Sequence, residues 1–357
     1  MADREFYPSE IRWRSRYNFL KHRGYQLRPR YDPQHTPTRQ TEKRWYQFGP
    51  MWYEDERKSR HPTVLDAIRL SDGRPVVLRT TQTWSDEVPI MRRLNRLAND
   101  PRNHAVPVLD IIPLAEDDNE VILVLPLLRD YYDPPFSRLE QVVQALTQFF
   151  ETMQLLHENN IAHRDFCTYN LMLDPSDLFP YGFHFASPHV TPDGLTFGIE
   201  HRDRADVGYT RYFVIDFGLA TQLPSKDSRV TGVFGQDRTV PELSWEAPYD
   251  PFKVDIYQFG RVILRDMVSV SPLSLVVPSW YSPLAKVYSG LDFLRPLTEA
   301  MLTKDPETRP DIAGVMRLFH AAVNDLSPSE LRASIHVVEY PSHLMFTPRP
   351  RSRGCCG

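Results

Sequence analysis

The chain has 357 residues, 41% of them hydrophobic and 25% charged, with a net charge of -4, the make-up of a folded globular protein with one large or two small cores. That balance supplies no global basic surface, so nucleic acid is not an expected partner. Three cysteines argue against a disulfide framework, no apolar run approaches the roughly 18 to 20 residues of a membrane span, and Met1-Ala2-Asp3-Arg4-Glu5 lacks the apolar core of a secretory signal, so a cytoplasmic location is expected.

Residues 1–60, rich in Arg, Pro, Tyr and Trp with little apolar periodicity, read as an N-terminal extension partly ordered against the main body. Val64-Leu65-Asp66-Ala67-Ile68-Arg69-Leu70 and Pro75-Val76-Val77-Leu78-Arg79 flank a turn containing Asp72-Gly73, a hairpin signal. From Asp86 to Leu97, the apolar residues Val88, Met91, Leu94 and Leu97 fall on one helix face, with Pro89 in the first turn. Two further strand-like runs, 105–114 and 121–128, flank the acidic turn 116–120. A long amphipathic stretch from Leu139 to Glu158 opens a helical region, with more helix expected around 255–268, 291–303 and 312–326. The domains read as the extension 1–60, an N-lobe 61–128, a C-lobe 129–326 with a Pro-, Gly- and Asp-rich insertion 175–211, and a C-terminal tail 327–357.

Phosphoryl transfer from a nucleotide needs a carboxylate beside the acceptor hydroxyl, oxygen ligands for the phosphate-bridging metal and a cation on the phosphates. Two motifs suit it. His163-Arg164-Asp165 with Asn170 follows the long helix, and Asp216-Phe217-Gly218 ends the strand Phe213-Val214-Ile215. Either alone is weak; in order with Pro241-Glu242, Asp255-Ile256-Tyr257-Gln258-Phe259-Gly260 and Arg309-Pro310 they are specific. From about Val64 to Leu326 the chain resembles the eukaryotic-type protein kinase family. Small-molecule phosphotransferases share the catalytic-loop acid and Asn but lack the Pro-Glu closure and the Asp-to-Gly helix signature. The resemblance implies an α+β, bilobal protein-kinase-like fold: a small antiparallel β-sheet N-lobe with one helix and a larger, mainly helical C-lobe.

It further implies ATP and Mg2+ as cofactors and a protein substrate as partner. Asp165 would accept the proton of a hydroxyl, Ser or Thr in preference to Tyr, and Asn170 and Asp216 would hold metal. Leu125 and Leu128 would flank the adenine at the inter-lobe hinge, where Pro126 offers no N–H. Glu242 should pair with Arg309, and His163, Phe217, Met91 and Asp255 would form an internal column between the lobes. Arg164 would receive a phosphate placed on Ser225, Ser228, Thr231 or Thr239.

Three departures from the family pattern stand out. Arg79 stands where the family has a lysine, facing Glu87 on the helix, and its planar fork does not replace an ammonium one for one. The segment before Val64 has only Gly49 between Gly24 and Gly73, too few glycines for a loop whose backbone N–H groups cover phosphates; Lys58 or Arg60 would be substitute cations. Cys167 takes the place of a lysine two residues after Asp165. Cys167 bears on the acceptor class, while Arg79 and the glycine-poor cover define the alternative, a pseudokinase: a binding or scaffold module with weak or no phosphotransfer. Finally, Cys355 and Cys356 in the basic terminal sequence are candidates for lipidation and membrane association.

Overall fold

Alternation along strands of two faces explains the upper half of the molecule. The computed structural model describes residues 6–38, 53–59, 61–114, 116–268 and 288–338; Arg60, Gly49, Cys355 and Cys356 lie outside them. Strands β1 (Tyr25–Leu27), β2 (Val64–Arg69), β3 (Pro75–Gln82), β4 (Asp110–Leu114) and β5 (Asp117–Pro126) form one antiparallel sheet in the order β1-β2-β3-β5-β4. The β2–β3 turn closes on Gly73, whose φ of +70° suits the residue without a Cβ. Register then places Asp66 opposite Val77 and Val77 opposite Leu125, and Val64 opposite Arg79.

Both faces of this sheet are covered, which is why β5 reads as a continuous apolar run rather than an alternating one. Leu65, Ala67, Val76, Leu78, Ile122 and Val124 face outward, against Trp13, Tyr17 and Leu20. Those three come from helices α1 (Pro8–Ser15) and α2 (Tyr17–His22). The first sixty residues thus contribute an edge strand and a second small core. Leu123 and Leu125 face the other way, into the main core with Val88, Ile90, Met91 and Leu94 of helix α3 (Glu87–Arg96).

Below the sheet, α4 (Leu139–Glu158) runs through the centre of the helical half, as its apolar periodicity implies. Helices α5 (Pro251–Ile263), α6 (Arg295–Met301) and α7 (Ile312–Asn324) pack around it. Asp250 and Asp311 cap α5 and α7 by accepting hydrogen bonds from the first-turn N–H groups. Two small sheets hold the chemistry-bearing loops: β6 (Arg129–Asp130), β8 (Leu171–Leu173) and β9 (Tyr212–Val214) in one, β7 (Ile161–Ala162) and β10 (Thr221–Gln222) in the other. The architecture is α+β with a sheet-based N-terminal lobe and a helical C-terminal lobe, joined at Leu127 and Leu128. No helix among the described residues is long and apolar enough to cross a membrane.

Candidate active site

The loop between β7 and β8 carries residues 163–170, and the loop between β9 and β10 carries Asp216. Backbone pairing sets them side by side: the Ile215 N–H donates to the Asn170 carbonyl at 2.9 Å. Asp255, fully buried on α5, fixes the first loop from beneath. Its carboxylate accepts from the N–H groups of His163 (2.9 Å) and Arg164 (2.6 Å), with the His157 ring nitrogen 2.9 Å away. Such saturation of a buried carboxylate permits one loop geometry. The His163 ring meets Phe217 edge-on at 5.0 Å, and Met91 and Phe217 share the same core.

Asp165 lies at the mouth of this loop. Asn170 Nδ2 donates to its backbone oxygen (2.9 Å) and to Oδ2 (3.2 Å), while the Gln236 N–H donates to Oδ1 at 2.8 Å. Burial pushes the Asp165 carboxyl above its ordinary value, and the bond from Gln236 and the nearby His163 only partly oppose this. The close approach of residues 235–236 requires glycine at 235, where φ is +86° and a Cβ would stand 2.8 Å from the Arg164 carbonyl oxygen.

Arg79 reaches this group from the sheet. Its Nη2 donates to Asp216 Oδ1 at 2.6 Å, and its Nε lies 3.1 Å from Glu87 Oε1. The Nε–H is off the line of a hydrogen bond and otherwise unpartnered, so the contact with Glu87 is chiefly Coulombic. Burial alone would raise Asp216; the adjacent guanidinium outweighs it and holds that carboxyl below the ordinary range. Thr81, one pleat along β3 on the face that carries Arg79, donates its hydroxyl to Glu87 Oε2 at 2.5 Å.

At the far end of the helical lobe, Arg309 grips Glu242 through two bonds, Nη1 to Oε1 at 2.5 Å and Nη2 to Oε2 at 3.1 Å. This bidentate pair closes the segment that starts at Asp216. Ordered sequence motifs thus converge on one group of side chains, with a buried ion pair at the end of the segment.

No protein-family model matches the chain. Curated proteins to which it is similar include several protein kinases. The light-sensor protein kinase of Ceratodon purpureus is 30% identical over 150 residues, covering 37% of this chain and 10% of that protein. Serine/threonine-protein kinase Nek3 of Oryza sativa subsp. japonica is 26% identical over 191 residues, 51% and 26% of the two chains. Sperm motility kinase 2B of Mus musculus is 22% identical over 256 residues, 67% and 44%. The chain is similar to protein kinases over stretches of up to 256 residues. It spans less than half of the length of each of these relatives.

Within this kinase-family fold the structure brings Asp165, Asn170, Asp216, Arg79 and Glu87 together. Leu125 ends β5 on the core-facing side and is buried, and Leu128 lies half-buried in the link between the lobes. Lys58 goes elsewhere: its ammonium sits 5.2 Å over the ring of Tyr7, beside α1. Arg164 meets Thr221 (Nη1 to Oγ1, 3.1 Å) and the face of Phe234 (5.0 Å) rather than Ser225, Ser228, Thr231 or Thr239. Cys167 is buried, and desolvation pushes its thiol far above the range in which a thiolate forms.

Two contacts escaped the sequence reading. Thr81 had a signal, since residues two apart on a strand share a face. Gln236 had none, because its contribution is a backbone N–H positioned by the path of the segment.

Among the described residues no group of three or more His, Cys, Asp and Glu forms a metal cage. The donor set that remains suits magnesium. Asn170 spends its Nδ2 on Asp165, which leaves its carbonyl oxygen, and Asp216 keeps Oδ2; a magnesium ion with two protein oxygens takes the rest of its ligands from phosphate and water.

Proposed function

We propose that the protein is an ATP- and Mg2+-dependent protein kinase that transfers the γ-phosphoryl group to a protein hydroxyl, Ser or Thr in preference to Tyr. The observation that carries this reading is Arg79 bridging Glu87 and Asp216 instead of pointing to solvent. In that position the guanidinium can turn from Asp216 to the phosphates while Glu87 retains it. Asp165 receives the acceptor proton as the new P–O bond forms and the bond to the leaving ADP oxygen breaks. Asn170 and Asp216 hold the metal, which neutralises charge on the phosphates. Leu125 and Leu128 flank the adenine. The Ser/Thr preference is supported by the relatives named serine/threonine-protein kinases.

A second reading has its own observation. The Gln236 N–H already bonds Asp165, which favours a pseudokinase unless that contact yields to substrate. One experiment separates the two: nucleotide binding and phosphotransfer to a peptide library displaying Ser, Thr and Tyr, for the wild type beside Asp165→Asn. Transfer by the wild type alone is expected; equal signal from both proteins sinks the kinase reading. Membrane attachment of a cytoplasmic protein through Cys355 and Cys356 is a separate part of the proposal, checked by metabolic labelling with a lipid probe.

A further inference from the structure

The connection between β1 and β2 is the one that would cover phosphates in a kinase, and one of its described stretches, residues 53–59, is tied in two directions. Upward it belongs to the sheet lobe. Arg30 Nη1 donates to the Asp55 carbonyl at 2.8 Å, and the Ser59 N–H donates to Glu10 at 3.3 Å. Arg28 bonds Asp66 of β2 (3.0 Å), Glu54 (3.1 Å) and the Arg57 carbonyl (2.9 Å).

Downward the same residues grip the 175–211 insertion. The buried Arg57 donates from Nε and Nη2 to the Gly194 carbonyl at 2.9 and 2.6 Å, and from Nη1 to Ser187 Oγ at 3.1 Å. Glu54 Oε1 stands 3.4 Å from His184 Nε2. Gly194, at φ +75°, admits this approach, since a Cβ there would lie 3.0 Å from Glu54 Cα. The insertion is itself fixed to the lower lobe by Arg129 on β6, whose Nη1 donates to the Pro188 carbonyl at 2.8 Å and whose guanidinium lies 4.2 Å over Phe179.

Asp66, the β2 residue that Arg28 holds, pairs with Val77 and Val77 with Leu125, just before the inter-lobe link. Two strand spacings of about 4.8 Å each put Asp66 roughly 10 Å from Leu125.

We propose that residues 53–59 and 184–197 form a clasp that ties the two lobes across the cleft mouth, and that this clasp must release for nucleotide to enter or leave. The tether stands on the contacts alone; the gating rests on the nucleotide reading above. Its chemistry is that of a reversible fastening. The direct bonds across it are polar or charged, so each partner recovers water hydrogen bonds on opening, whereas an apolar contact would fuse the lobes. Burial would raise the Glu54 carboxyl, yet His184 and Arg28 outweigh it and keep the group below its ordinary value, so the clasp holds an ionised carboxylate. The contact gives the N-terminal extension and the insertion one shared role.

The test uses the full chain with Cys355→Ser and Cys356→Ser, and spin labels on cysteines placed at the exposed positions Trp84 in the sheet lobe and Leu318 on α7. Arg57→Met and the near-isosteric Glu54→Gln are each expected to broaden the inter-label distances toward longer values. Association and dissociation rates of a fluorescent ATP analogue should both rise, by about tenfold. Unchanged distances in both variants overturn the clasp. Longer distances with unchanged rates overturn the gating while the tether stands, and failure of the parent and both variants to bind the analogue overturns the nucleotide reading and the gating with it. Should Arg57→Met fail to fold, Glu54→Gln decides.

Discussion

Asp255 and Arg79 mark the two halves of the cleft, and they are held in opposite ways. Asp255 is fully buried and takes two backbone N–H groups and a histidine nitrogen, so its loop is fixed from beneath by three contacts on one carboxylate. Arg79 keeps a fifth of its side chain exposed and divides itself between two carboxylates on different elements. The lower half of the cleft is thereby preorganised. The upper half is a set of contacts that bound phosphate would compete for.

Four measurements can break or sharpen that contrast. The largest effect is expected at the preorganised loop: Asp165→Asn should lower phosphotransfer by roughly 10²- to 10⁴-fold, with nucleotide affinity retained. In the wild type the rate requires the ionised carboxylate. Because burial raises Asp165 above the ordinary 3.8, activity should fall as pH drops through a value higher than that, giving an acid limb displaced upward in the pH–rate profile. A limb at or below the ordinary value would remove Asp165 as the base.

Next comes stability, where the halves are compared directly. Arg309→Ala leaves Glu242 buried without its partner and should cost about 3–5 kcal/mol in denaturant unfolding. Trp13→Ala empties a fully buried site on the outer face of the sheet and should cost about the same. If the Trp13 variant melts in two steps and the Arg309 variant in one, the lobes are energetically separable and the clasp contributes little.

Smaller again is the effect on nucleotide. Arg79→Met should weaken ATP binding about ten- to a hundredfold, read by calorimetry, as loss of a charged hydrogen-bonding partner implies. Unaltered affinity would place the phosphates out of its reach. The smallest change is Thr81→Val, which removes one hydroxyl from the buried Glu87 carboxylate and should destabilise the fold by about 1–2 kcal/mol.

Much of the lower lobe was legible because the protein-kinase-like fold calls for particular residue types in a fixed order. Asp165, Asn170, Asp216, Glu242, Asp255 and Arg309 each carry a charge or amide that only one geometry satisfies, and the Glu242–Arg309 pair formed as their chemistry required. Helix α4 was legible to the residue, since twenty residues of 3.6-fold periodicity leave little choice.

The N-terminal sixty residues gave no comparable signal. Trp13, Tyr17 and Leu20 come from two short helices whose apolar side chains are too few to show a period, and they become core only because the sheet's outer face needs cover. Arg79 was visible as a substitution; whether it would bridge two carboxylates or face water depended on the packing of α3 against the loop at Asp216. By itself, then, the sequence determined the resemblance to protein kinases and the order of the main elements from Val64 onward, because local periodicity and motif spacing are written residue by residue. Only the tertiary structure decided what covers the sheet, that Gln236 reaches Asp165, and that residues 53–59 fasten to the insertion. The last two contacts join groups 71 and 137 positions apart, and nothing local in the chain encodes them.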